Sequence, residues 1–330
     1  PEQLDADKKE AEKNNEKYSY TGRCSYIGAE ELKRLKAEKT PFVIRIKTPD
    51  TPIVNHDLLK GDIETAPSEV DSFVILHSDG TPSYNFACAC DDMISNITFI
   101  IRGEKHLSNT SKQEHIKRVL GYEKETQYVH LPDILNSDTI SVKWLFEQGF
   151  IPDAIANYLI LLGNQTPTEI FTMPEALEWL ELSTHSKTPV TFDIDKLRSI
   201  NQKHLKMMDD KRLSKLFGFA DEDIGKLAKL YLLKDASTIN ELEAKIKPIF
   251  SPKDFSGKRG YQMRILAEVI ETLPMIDDFD DFNVHLVHMT GLKGENFFTP
   301  LRLLLTGAQD GPELSDIYPL IKPYLLEVIS

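Results

Sequence analysis

The chain has 330 residues, 41% hydrophobic and 28% charged, an ordinary globular composition too long for one small core, so two or three domains are expected. No window approaches the ~20 apolar residues of a membrane span, no secretory signal pattern opens the chain, and Cys24, Cys88 and Cys90 are too few for a disulfide framework, which points to a reducing cytoplasm. A net charge of −13 argues against a generic nucleic-acid-coating protein but leaves room for one local basic face.

In chain order, residues 2–17 are highly charged and helix-forming, with Leu4 and Ala11 too sparse for a large buried face. Residues 41–47 alternate like a half-buried strand, and residues 73–76 form a short apolar strand ending at the Ser78-Asp79-Gly80 turn. After Asp79-Gly80-Thr81-Pro82 comes an apolar segment, residues 84–90, then the pair Asp91-Asp92. A β-rich run, residues 97–101, stops abruptly at Arg102-Gly103-Glu104-Lys105-His106. Ser108-Asn109-Thr110 can cap a helix whose apolar positions include Ile116, Val119 and Leu120. A buried strand that delivers an arginine at its C-terminal end, before a helix, is where open α/β sheets place ligand-binding groups. From Ser141 the pattern turns helical. Residues 141–149 read as a helix closed by Gly149 at C′, and residues 152–163 as a second with proline in its first turn. Amphipathic helices continue to Ser330, broken at Pro189, Gly218, Pro252, Pro274 and Pro300, while residues 277–281 read as a solvated acidic loop.

The stretch Tyr84-Asn85-Phe86-Ala87, Asp91-Asp92 and Ile100-Ile101-Arg102-Gly103-Glu104-Lys105-His106-Leu107-Ser108-Asn109-Thr110 resembles a signature of glutamyl-tRNA synthetases, class I enzymes that charge tRNA with glutamate. Three later segments resemble the same family in family order. Residues 141–163 match the segment after the catalytic domain, and residues 192–219 the helices leading to the anticodon-binding region. Residues 294–307 with Gly311-Pro312 match the terminal helical domain. The resemblance implies an α+β fold: the remainder of a class I Rossmann-type catalytic domain with an inserted acceptor-binding region, followed by all-α helical domains. It divides the chain into an acceptor-binding region (1–72), the second half of the catalytic domain (73–140), an α-helical stem-contact region (141–215) and an α-helical anticodon-binding domain (216–330).

Site residues follow from the same resemblance. Tyr84, Cys88 and Arg102 are implied for the glutamate pocket, where a planar guanidinium forks onto a carboxylate in a way that lysine does not reproduce. From the residues alone, Tyr84 and Cys88 read equally as core residues and Arg102 as a surface strand end. Cys88 stands where some members carry asparagine. Glu104 and His106, with Leu131, Pro132 and Ile134 of the His130-Leu131-Pro132-Asp133-Ile134-Leu135-Asn136 segment, are implied for ATP. Lys105 departs from the family's acidic residue, and either alters contacts near the ribose or points to solvent. Arg302, Thr306 and Gly307 are implied for tRNA, with a bracing role for Arg302 as the alternative.

Two class I signatures are absent from this sequence. The HIGH-type motif belongs about a hundred residues before the region that the first residues resemble. The KMSKR-type loop belongs between Asn136 and Ser141, where only Ser137-Asp138-Thr139-Ile140 stands; a physical break after Asn136, with a lid-like loop lost, is therefore expected. Lys211-Arg212-Leu213-Ser214-Lys215 reads instead as a charged helical turn with Leu213 and Leu216 facing a core. Cys24 with Tyr26 resembles half of a zinc site that the chain cannot complete, so no metal is expected. The implied function is glutamate–tRNA ligase, a monomer using ATP with Mg2+, glutamate and tRNA-Glu. The alternatives are a paralogue that glutamylates tRNA-Gln and a non-catalytic tRNA-binding relative.

Overall fold

The parallel strands of the first half place three polar side chains at one sheet edge, and the rest of that half packs around them. The computed structural model describes all residues but Pro1, Glu16, Lys17, Ser19, Thr21, Asp138, Lys234 and Asp235, with side chains from Ala6 onward. Contacts divide the chain into one unit of residues 1–134 and 181–190 and another of residues 135–180 and 191–330.

The first unit runs α1 (Glu2–Lys13), α2 (Ala29–Ala37), β1 (Ile44–Arg45), β2 (Ile53–Asp57), β3 (Gly61–Thr65), β4 (Val74–Leu76), α3 (Tyr84–Ile94), β5 (Phe99–Gly103), α4 (Leu107–Val119), β6 (Gln127–Leu131) and the start of β7 (Ile134–Leu135). The expected helix over residues 2–17 ends at Lys13, and its last two positions, Glu16 and Lys17, lie outside the described residues. Of the strand expected at 41–47, only Ile44 and Arg45 pair, antiparallel with β4. The main sheet has the order β3-β2-β6-β5. β6 lies between β2 and β5, parallel to both, and β2 turns back on β3 as an antiparallel hairpin. The hairpin precedes residue 72 yet shares the sheet of β5 and β6, so one sheet spans that boundary. Along β2, Ile53, Asn55 and Asp57 point inward, the period of two that a half-buried strand requires. A small apolar cluster of Ile46, Ile53, Val70, Phe73, Ala89 and Ile116 sits beneath.

The apolar segment after the Asp79–Pro82 turn is helix α3, and one expectation changes beside it. α4 begins at Leu107, so Ser108-Asn109-Thr110 lies inside its first turn and caps nothing; a 3-10 turn over Glu104–His106 leads the chain into it. Asn136, at the start of the short connection over residues 136–141, takes a left-handed φ of 59°. The Asp138 of that short connection lies outside the described residues.

The second unit is helical: α5 (Val142–Glu147), α6 (Pro152–Leu161), α7 (Met173–Trp179), the two-residue β8 (Val190–Thr191) that pairs with β7, then α8 (Ile194–Met207), α9 (Asp210–Leu216), α10 (Asp223–Leu232), α11 (Ile239–Ile246), α12 (Gly260–Thr272), α13 (Phe279–Thr290), α14 (Glu295–Thr306), α15 (Leu314–Ile321) and α16 (Leu325–Val328). One continuous apolar core joins the helices other than α7, including fully buried Leu197, Leu213, Leu227, Leu266, Leu286, Leu301 and Ile317. Each such side chain contributes about 1.5–3 kcal/mol by leaving water. Gly149 closes α5 with φ 83°, and a Cβ there would meet the Asn240 amide nitrogen at 2.6 Å, so glycine is required on both counts. Pro152 stands at the first position of α6. Pro300 does not break a helix but lies within α14. The acidic run is a helix start, not a loop: Asp278 accepts from the amides of Asp280 and Asp281 at 2.8 and 3.0 Å and caps α13. In α9, Leu213 is buried as expected, but Leu216 is 49% exposed. No helix among the described residues is long and apolar enough to cross a membrane.

Candidate active site

The C-terminal ends of the three parallel strands carry Asp57 (β2), His130 (β6) and Arg102 (β5), and Arg102 and His130 are register partners in the ladder. Open α/β sheets bind ligands outside the carboxyl ends of their parallel strands, so these side chains stand where a ligand belongs. Arg102 is half-buried, which removes the reading of a solvent-facing strand end. Its Nε donates to His130 Nε2 at 3.1 Å, Nη1 to Gln113 Oε1 at 2.9 Å and Nη2 to Thr110 Oγ1 at 2.5 Å. Asp57 binds the far side of the imidazole, 2.7 Å from Nδ1. Thr110 and Gln113 come from α4, whose first turns pack over the sheet edge.

Tyr84 and Cys88 lie four residues apart on α3 and so share a face. The neighbouring Cys88 thiol is the first cause that raises the Tyr84 phenol above its usual range, with the Arg102 charge pulling the other way. The Tyr84 ring is 58% exposed and 6.4 Å from that of His106. His106 accepts at Nδ1 from Asn109 at 3.3 Å, and Asn85 joins α3 to α4 by accepting from Gln113 and donating to Asn109. Tyr84, Cys88, Arg102 and His106 therefore gather around one rim. Glu104 is held by Lys60, 2.7 Å away, which ties the β2–β3 turn to the segment after β5. Lys105 is exposed. Leu131 pairs with Gly103 across the ladder; Pro132 is buried and Ile134 exposed just beyond.

Burial lowers the His130 pKa below 6.5, with the Arg102 charge adding to it against the Asp57 hydrogen bond. Burial alone would raise Asp57, but hydrogen bonds from the His130 ring and from the Lys60, Leu59 and His130 amides outweigh it and hold the carboxyl below 3.8. The His130 contribution to stability is thus fully present above pH 6.5 and lost as pH falls from there through its lower folded value; that of Asp57 is lost only below pH 3.8. His204, also depressed by burial, follows the same window as His130. Thermal melts between pH 7 and 5 are expected to show a falling Tm, with a shallower fall in His130→Gln. An identical slope in that variant would reject the assignment.

The remaining sequence candidates lie elsewhere. Arg302 donates from Nη1 to the Pro312 carbonyl at 3.0 Å. Thr306, implied for tRNA, is 1% exposed, and its hydroxyl donates to the Arg302 carbonyl at 2.7 Å at the end of α14. Gly307 takes a left-handed φ of 68° and packs on Pro248, where a Cβ would meet the carbonyl oxygen at 2.7 Å. The decoy Ser214 is buried and accepts from the Gly225 amide. Cys24 is exposed, and the described residues contain no group of three or more His, Cys, Asp or Glu able to hold a metal.

Residues 1–199 match the family described as tRNA synthetases class I (E and Q), catalytic domain. Glutamate–tRNA ligase 2 of a Sulfurovum species is 61% identical over 320 residues, covering 94% of this chain and 74% of the relative. The chain belongs to the glutamyl-tRNA synthetase family. Glutamate–tRNA ligase 1 of a Nitratiruptor species is 47% identical over all of this chain and 78% of its own length. The crystal structure of a glutamate tRNA ligase from Elizabethkingia meningosepticum, in complex with its amino acid, matches the whole chain with a TM-score of 0.72 at 26% identity, over 77% of that chain. The family match establishes a class I catalytic domain over residues 1–199.

Asp57, Lys60, Asn85, Thr110 and Gln113 were not assigned to the site from the sequence. Asp57 had a readable signal: an aspartate before Leu59 and Lys60, ahead of Gly61, favours a turn in which its Oδ1 accepts the next amides, here at 2.9 and 2.8 Å.

Proposed function

We propose that this protein is the ligase that activates glutamate with ATP and transfers it to the 3′ end of tRNA-Glu. The observation that carries the reading is the Arg102 guanidinium at the carboxyl edge of the sheet, with three of its five N–H donors committed and two left. In the first step an α-carboxylate oxygen of glutamate attacks the α-phosphorus of Mg2+-bound ATP and pyrophosphate leaves. In the second, a hydroxyl of the terminal ribose attacks the activated carbonyl and AMP leaves. The reacting α-carboxylate must stay free, so Arg102 takes the side-chain carboxylate. The two remaining donors suit two acceptor oxygens; glutamine would turn an NH2 toward them, a donor facing donors. Tyr84 and Cys88 form the wall beside the arginine, and Glu104, His106 and the backbone of Leu131 to Ile134 lie toward the nucleotide. Positioning and charge stabilisation supply such chemistry without a protein nucleophile. The reaction belongs in the cytoplasm, with the protein a monomer.

The tRNA contacts are assigned by region. In the first unit a cavity of about 750 Å³ is lined by Tyr20, Lys36, Phe42, Arg45 and Lys47 among others, with the Arg45 guanidinium over the Tyr20 ring at 4.5 Å. Basic and aromatic groups together suit an unpaired nucleic-acid end, which supports the acceptor-binding role of residues 1–72. In the helical unit Arg302 remains the candidate for the anticodon. Arg302→Gln is expected to lower charging through tRNA while leaving the kinetics for ATP and glutamate nearly unchanged; a variant that only loses thermal stability makes Arg302 a brace. Charging assays with purified tRNA-Glu and tRNA-Gln test the whole reading: glutamate transferred to neither would reject it, and transfer to tRNA-Gln alone would make it the paralogue.

A further inference from the structure

The pair behind Arg102 is more specific than packing needs. Asp57 is 4% and His130 1% exposed, and Thr110 and Gln113 are fully buried. The Asp57 carboxylate accepts four hydrogen bonds: Oδ1 from the Leu59 and Lys60 amides, Oδ2 from the His130 amide at 3.0 Å and the His130 ring at 2.7 Å. An ionised carboxylate only accepts, so the ring proton sits on Nδ1. Nε2 is then the bare acceptor, and it faces two donors, Arg102 Nε at 3.1 Å and the Thr110 hydroxyl at 3.0 Å. The opposite tautomer would set Nε2–H against the arginine N–H. The Thr110 oxygen in turn accepts from Nη2, and Gln113, which accepts from Nη1, is itself fixed by donating to Asn85. Apart from the Thr110 hydroxyl, whose one proton also has the His106 carbonyl within 3.4 Å, every polar group around the guanidinium has its direction set from the one behind it, back to the β2–β3 turn.

We propose that Asp57 and His130 are positioning residues for substrate recognition: they fix the Arg102 guanidinium in advance of binding, so that its two remaining N–H donors point as a fork at the glutamate carboxylate. This rests on the reading of Arg102 as the carboxylate ligand. A guanidinium already immobilised loses little further freedom when glutamate arrives, and its orientation does not depend on the ligand. Neither residue touches the substrate, and both act through Arg102.

The test is glutamate affinity measured by calorimetry on the purified protein, with ATP affinity and thermal melting alongside. His130→Leu keeps bulk but offers Arg102 no acceptor. It is expected to weaken glutamate between about tenfold and a hundredfold, the scale of a small misplacement of a binding group, while ATP affinity stays within about twofold. His130→Gln, which places an amide where Nε2 lies, should recover most of the loss. Combined with Arg102→Ala, His130→Leu should cost nothing further. A folded His130→Leu with unchanged glutamate affinity, or with the same loss in the Arg102→Ala background, would overturn the proposal while Arg102 keeps its role. If Arg102→Ala itself leaves glutamate affinity unchanged, the carboxylate assignment falls and the positioning role with it. Should His130→Leu not fold, nitrogen NMR of the native imidazole decides: a neutral ring protonated at Nδ1 at pH 7 is expected, and a proton on Nε2 would overturn the proposal.

Discussion

Arg102→Ala is expected to weaken the interaction with glutamate by ~2–5 kcal/mol, the range for truncating one partner of a desolvated, hydrogen-bonded charge pair. In affinity this is roughly thirtyfold to several thousandfold. The loss should appear in the Michaelis constant for glutamate and in glutamate-dependent pyrophosphate exchange measured with tRNA present, and ATP affinity should change little. Two effects add to the same number. The substrate carboxylate loses its fork, Thr110 and Gln113 each lose the arginine donor, and His130 Nε2 keeps only the Thr110 hydroxyl. The second effect also lowers the melting temperature, so the split between glutamate and ATP, not the total activity, decides the assignment. Arg102→Lys keeps the charge but offers no planar fork. It should fall between wild type and alanine. Glutamate kinetics unchanged in the alanine variant would remove Arg102 from the pocket.

The part of this site that was legible in the sequence is local. The run from Phe99 to Val119 carries strand, arginine and helix within one stretch, and the spacing of Tyr84 and Cys88 puts both on one helical face once α3 is recognised. What was not legible is what arrives from a distance. Asp57 and His130 are 73 residues apart in sequence, and their contact exists only because β6 inserts between β5 and β2. Periodicity reports which face of a strand is buried, not which strand lies beside it.

The misread elements have local causes too. Ser108-Asn109-Thr110 looks like a cap, but the 3-10 turn over Glu104–His106 leads the chain into α4 one step earlier. The consequence is functional: with Thr110 inside the helix, its hydroxyl reaches Arg102 and His130. Pro300 is tolerated because a proline in a helix needs only that one earlier carbonyl go without its usual donor and the neighbours make room. The acidic run at 277–281 combines a favoured cap residue with carboxylates near the positive end of a helix, which hydropathy alone does not register. The KMSKR-like decoy fails for a simple reason: its serine is buried against α10.

That buried serine marks a close approach of two helices in the helical unit, and Gly225→Ala should be among its more damaging small substitutions. The Gly225 amide donates to Ser214 Oγ at 2.6 Å, and a Cβ on Gly225 would stand 2.0 Å from the Asp210 carbonyl oxygen and 2.7 Å from its carbon. Both are backbone atoms of α9, so no side chain can swing aside, and α9 and α10 must separate. Their shared face includes Leu213, Ile224, Leu227 and Ala228, all fully buried, and separation opens it. Alanine gains about 1 kcal/mol over glycine in helix propensity, whereas overpacking costs typically 1–3 kcal/mol and more where backbone is forced to move. The clash wins, by about 2 kcal/mol at the upper end of that range. For a unit of this size the melting temperature should fall by about 2–4 °C per kcal/mol, hence by up to ~4–8 °C. Gly257→Ala is the control, because a Cβ there meets nothing within 4 Å, and its Tm should hold. Glutamate affinity measured below the transition should be the same in both variants, since every group of the Arg102 network belongs to the other unit. A Gly225→Ala protein melting at or above the wild-type temperature would show that the two helices are not held at this distance.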